Sequence, residues 1–129
     1  MAGRRLIARD LTRDTTIAGR IDVAASFRTR LVGLLGRAGL APDEGLWIAG
    51  ESSIHMLFMR FPIDCCFLGA AGVDGAREVL AVRHGLPPWR GVVWHVAGAA
   101  GTLELAAGAL ARAGVEVGDL VTLEAAAGG

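Results

Sequence analysis

The sequence predicts a mainly β fold: a compact sandwich or barrel-like domain of short antiparallel strands with one or two short helices. Three observations carry that prediction. Short apolar segments alternate with turn-forming clusters about every eight to twelve residues. Only one stretch has sustained helical spacing. The chain has 129 residues, 53% of them apolar, which suits one domain. A chain of this length buries roughly two-thirds of its unfolded surface and needs no staples. The composition excludes a disordered, collagen-like or coiled-coil chain.

Each element follows from local signals. Arg4 to Asp10 and Thr15 to Val23 read as strands around a polar turn at Thr12-Arg13-Asp14. Ser26 can cap a helix in which Phe27, Leu31, Leu34 and Leu35 share one face, and Gly39 is its stop. Ala41 to Gly45 is a loop, and Leu46-Trp47-Ile48 a short apolar strand. Ile63 to Leu68 is apolar on both faces apart from Asp64, the pattern of a central strand. Asp74-Gly75 marks a hairpin turn, and Glu78 to Arg83 is its return strand. Pro87-Pro88 blocks pairing, because neither residue has an N–H to donate. Val92 to Val96 is an apolar strand. Thr102, Glu104 and Ala106 alternate with Leu103 and Leu105, as in a strand wet on one side. Gly108 to Ala113 fits one or two helical turns. Gly118-Asp119 is a turn with Asp119 as its cap, Leu120 to Glu124 the last strand, and Ala125 to Gly129 a frayed tail.

Charge and cysteine usage narrow the function classes. Thirteen Arg balance thirteen acids, and there is no Lys. Residues 1–37 carry +5 and residues 38–129 carry −5. Either the halves pack and offset each other, or the basic third meets a partner. Only 5% of residues are aromatic and Tyr is absent, so a base-stacking surface is poorly supplied and no nucleic-acid partner is expected. Arg9 and Asp10 interrupt the apolar run after Arg4-Arg5 before it reaches the roughly 7–15 residues of an export signal. No run approaches the roughly 20 apolar residues of a membrane span. The expected protein is cytoplasmic, makes no membrane contact and is a monomer. Cys65 and Cys66 are adjacent; in a strand they face opposite ways, which opposes both a disulfide and a shared metal. His55, His84 and His95 lack ligand spacing with them, and no metal or cofactor is expected.

Two segments concentrate chemistry inside apolar sequence. The first is Ser53-Ile54-His55-Met56-Leu57-Phe58-Met59-Arg60-Phe61-Pro62-Ile63-Asp64. A bend at Pro62 can bring Arg60 to Asp64, as a structural ion pair or as a ligand clamp. His55 is either a general base oriented by Asp64 or a satisfied core histidine. Ser53 and His55 share a strand face but stand some 7 Å apart at Cα, which is no nucleophile signal. The second segment is Pro87-Pro88-Trp89-Arg90. Its rigid loop presents an indole and a guanidinium to a ligand, or else Trp89 plugs the core.

Ser53-Ile54-His55, then Phe58 to Asp64 with Phe67-Leu68, resembles the signature of domain-of-unknown-function family 192. Pro88-Trp89-Arg90 resembles its second motif, and Leu103-Glu104-Leu105 with Gly108 and Gly118-Asp119 its third. Arg30 to Arg37 is similar to its helix. The chain departs from the pattern at Met56-Leu57, where Thr-Phe is expected, and at Gly69. The resemblance spans about residues 20–123 and implies a compact, mainly β fold without an established activity, cofactor or partner.

The sequence thus favours a binding module. Ser53, His55, Arg60, Asp64, Trp89, Arg90 and Glu104 would line a pocket for a small polar or anionic ligand or a peptide end. The alternatives are a hydrolase or transferase using His55 and Asp64, and an interaction domain without a small-molecule site.

Overall fold

The computed structural model describes residues 5–24 and 39–126. The helix expected from Ser26 to Arg37 lies outside them. Nine strands and one short helix follow in order: β1 (Arg5–Asp10), β2 (Thr15–Ala24), β3 (Glu44–Ala49), β4 (Ile54–His55), β5 (Ile63–Leu68), β6 (Arg77–Leu86), β7 (Val92–Val93), β8 (Gly101–Ala106), α1 (Ala109–Ala113) and β9 (Leu120–Ala125). Seven of them close a barrel in the order β1-β2-β3-β8-β5-β6-β9, and β4 with β7 forms a separate two-stranded sheet. Closure leaves the barrel strands no long free edge for misassociation.

Strand alternation builds two cores. Leu6 and Ala8 of β1, Ile17 and Ile21 of β2, Cys66 and Leu68 of β5, and Leu103 and Leu105 of β8 pack inside the barrel. The opposite face of β5, with Ile63, Cys65 and Phe67, packs against Ile54 and Val93 of the small sheet and against Met56, Met59 and Phe61. β5 is therefore buried along its whole length, as its two apolar faces predict. Cys65 and Cys66 fall in different cores, and both are buried outside any disulfide among the described residues.

Several sequence expectations need correction. β8 is buried on both faces, not wet on one. Its Thr102-Glu104-Ala106 face lies on the side of the second core, and Thr102 satisfies its hydroxyl by donating to the Glu51 carbonyl (2.9 Å). β2 and β3 pair in parallel, against the all-antiparallel expectation. The chain between Ala24 and Glu44 is long enough for the crossover that parallel pairing needs, about a dozen residues or more. Val92 to Val96 contributes only the two-residue β7, because it pairs with an equally short β4. Glu78 to Arg83 is the middle of the ten-residue β6.

Trp47 shows how closely the barrel wall is packed. The Arg77 guanidinium carbon lies 5.0 Å from its ring centroid. Gly101 makes room for the indole: a Cβ there would stand 2.7 Å from the Ile48 carbonyl oxygen and drive into the ring. Gly101→Ala should therefore cost about 1–3 kcal/mol, read as a lower urea midpoint with an unchanged slope.

Candidate functional site

The two motif segments fold into turns that are tied to each other. The Met56 N–H donates to the Gly91 carbonyl (2.8 Å), and the Trp89 and Met59 N–H groups both donate to the Met56 carbonyl (2.8 and 3.1 Å). The Gly91 N–H closes its own turn on the Pro87 carbonyl (2.9 Å). Gly91 is needed at this crossing, since a Cβ would stand 2.8 Å from Met56 Cγ and 3.0 Å from the Pro87 oxygen. Met56 is buried beneath the junction as its apolar anchor.

This stitching places two aromatic residues in the left-handed region. Phe58 has φ 69° and Trp89 φ 67°. Bulky residues rarely adopt that conformation, which costs of order 1–3 kcal/mol each. Their rings meet edge-on at 5.2 Å between centroids, yet are 52% and 53% exposed. Trp89 is thus a presented ring and not a core plug. Nearby, Ser53, Ile54, His55, Leu57, Val92, Val93 and Trp94 line a mainly apolar groove of about 280 Å³, with Trp94 81% exposed.

Of the seven residues singled out in the sequence, five lie on this structure. Ser53 and His55 line the groove. Arg60, Trp89 and Arg90 sit on the stitched turns, all exposed. Neither Arg60 nor Arg90 enters an ion pair among the described residues. Glu104 is buried on β8, on the face turned toward the second core and so beneath the small sheet's side of the barrel.

Asp64 is a correction of another kind. It neither pairs with Arg60 nor orients His55. Its side chain points with those of Cys66 and Leu68, and both oxygens are taken by backbone amides. Oδ1 accepts from Gly85 N–H (2.8 Å), and Oδ2 from Gly108 N–H (3.0 Å) and Leu110 N–H (3.1 Å). The carboxylate thereby caps α1 from the strand beside β8 and anchors the end of β6. Asp64→Ala would leave three amides without their acceptor, two of them at a helix start. The expected loss is about 3 kcal/mol or more, measured as a fall in unfolding free energy.

Sequence reasoning missed a second carboxylate site. Asp10 ends the inward alternation Leu6, Ala8, Asp10 and is fully buried. It accepts the Arg13 N–H (3.1 Å), and its carboxyl neighbours that of Asp119. Asp119 also takes Arg13 Nε (2.9 Å) and, as the turn cap expected, the Glu116 N–H (3.0 Å). Burial and the neighbouring carboxyl push Asp10 up to about 6; interactions with Asp10 and Arg13 hold Asp119 low. The sign of the pH effect follows. Asp10 stabilises the fold below its ordinary 3.8, and that contribution is lost as pH rises through about 6. Asp10→Asn should therefore gain stability relative to the native chain between about pH 4 and 7, checked by denaturant melts across that range.

The other missed features are Phe58, Trp94 and a contact between Ser52 Oγ and His95 Nδ1 (2.9 Å). That contact joins the loops flanking the small sheet, beside the Val96 N–H bond to the Ser52 carbonyl (2.7 Å). No spacing in the sequence announces it. Four arginines of the basic N-terminal third are neutralised locally: Arg5 by Asp22, Arg9 by Asp14, Arg13 by Glu116 and Asp119, Arg20 by Asp43. Of these, only Arg13 and Arg20 pair with acids beyond residue 37 and so offset part of the charge asymmetry.

Fold and motifs together define a small β-barrel protein with a two-stranded flap. Residues 9–123 match the model of domain-of-unknown-function family 192, DUF192, described as Uncharacterized ACR. The chain belongs to this family. Two crystal structures share its fold. One, from Sinorhizobium meliloti 1021 and described provisionally as a transcription regulator, has a TM-score of 0.70 and 23% identity, covering 95% of this chain and 96% of that one. The other, a protein of unknown function from Novosphingobium aromaticivorans DSM 12444, has a TM-score of 0.69 and 20% identity, covering 91% and 82%. Among curated proteins none matches the chain. No helix among the described residues is long and apolar enough to cross a membrane.

Proposed function

We propose that this protein is a binding module whose working surface is the pair of stitched turns and the groove beside them. The observation that carries the reading is the Phe58–Trp89 pair. Both residues hold a strained backbone, and both leave about half their surface in water. Strain retained at an exposed position points to use of that position, because the fold gains no burial from it. Leu57, Val92 and Trp94 extend the exposed apolar surface around the pair. Arg60 and Arg90 add positive charge with no ion pair among the described residues, so the ligand class is anionic with an apolar part. Asp64 and Glu104, being buried, take no part in this surface.

The test is a thermal-shift screen against anionic and polar ligands, with Arg60→Ala and Arg90→Ala alongside. A ligand at 100 times its dissociation constant should stabilise the native chain by roughly 2.7 kcal/mol. Both variants should keep the native melting temperature without ligand, since both side chains are exposed and enter no ion pair among the described residues. They should lose the ligand shift. Shifts of equal size in all three proteins would sink the proposal.

A further inference from the structure

The groove itself narrows the ligand class, and this step rests on the binding-surface reading above. We propose that it receives the C-terminal end of a protein chain, with a large apolar last side chain in the groove and the terminal carboxylate held by the arginines of the adjoining turns.

Four observations converge. The groove holds about 280 Å³ and its lining is mainly apolar. That is below the usual ~300–1,000 Å³ of small-molecule sites and suits one large side chain. β4 and β7 pair only with each other, through Ile54–Val93 and His55–Val92. β7 therefore has a second edge without a strand partner among the described residues, where an extended peptide can add backbone hydrogen bonds. Arg90 stands two residues before Val92 of the lining, and Arg60 three residues after Leu57. A guanidinium matches a carboxylate with two parallel hydrogen bonds. Finally, the chain's formal net charge is zero, which gives an anionic bilayer no long-range attraction. A concave groove also suits an inserted side chain better than a flat lipid surface.

The test uses the full chain and short dye-labelled peptides of otherwise identical sequence, read by fluorescence anisotropy. One peptide ends in Leu with a free carboxylate, one in Leu amide, and one in Gly with a free carboxylate. Phosphatidylserine vesicles are the competing probe. The Leu acid should bind, and both the amide and the Gly acid should bind about tenfold more weakly or worse. Arg60→Gln and Arg90→Gln together should reduce binding of the Leu acid to that of the amide. Trp94→Ala should weaken both Leu peptides, and its 81% exposure makes it safe for folding.

Equal binding of acid and amide would overturn the terminal-carboxylate assignment. Binding of vesicles but no peptide would overturn the peptide assignment and leave the binding surface standing, with lipid as its partner. If no peptide binds, no vesicle binds and the ligand screen is silent, both the inference and the binding-surface reading fall.

Discussion

One buried carboxylate ties the parts of this molecule together. Asp64 sits on β5, the strand that separates the two cores, and binds the backbone at the end of β6 and at the start of α1. A carboxylate is suited to this because it only accepts, and each of its oxygens has room for more than one donor. Removing three amides from water without an acceptor would be costly. Asp64 lets the β6 terminus and the α1 start converge at one end of the barrel without leaving those amides orphaned.

β5 also explains why the stitched turns exist at all. Its inner face completes the barrel, and its outer face needs a cover. That cover is the small β4–β7 sheet with Met56, Met59 and Phe61. The cover is too short to make a sheet by itself, since two strands of two residues are marginal in water. It is held by the Met56 and Gly91 backbone bonds and by apolar anchors from below. The same anchoring forces Phe58 and Trp89 into left-handed backbone and turns their rings outward. Packing beneath the turns and presentation above them are two results of one constraint.

The Asp10–Asp119 pair closes the barrel elsewhere on a different principle. Here two carboxyls and Arg13 meet where β1 and β9 run together, and burial raises Asp10 while Arg13 helps hold Asp119 low. Asp64 is served by backbone amides; Asp10 takes the Arg13 amide and lies against a second carboxyl, while the Arg13 guanidinium binds Asp119.

Much of this was legible in the residues. Alternation and turn chemistry predicted a small β domain, and the motifs around Ser53 to Asp64 and Pro88 to Arg90 predicted the family. The double-sided apolar pattern of β5 predicted a central strand, because each face of a strand is read directly from every second residue. Tertiary structure alone decided the partners. Arg60 and Asp64 look like a pair across Pro62, but Asp64 turns inward to amides that lie more than twenty residues away, where local spacing carries no information. Thr102 and Glu104 look solvated, but a second layer covers them. Asp10 looks like the last residue of an ordinary edge until Asp119 closes over it. A sequence shows which residues share a face; only the folded chain decides what that face meets. Burial, hydrogen-bond partners and backbone strain all depend on that meeting.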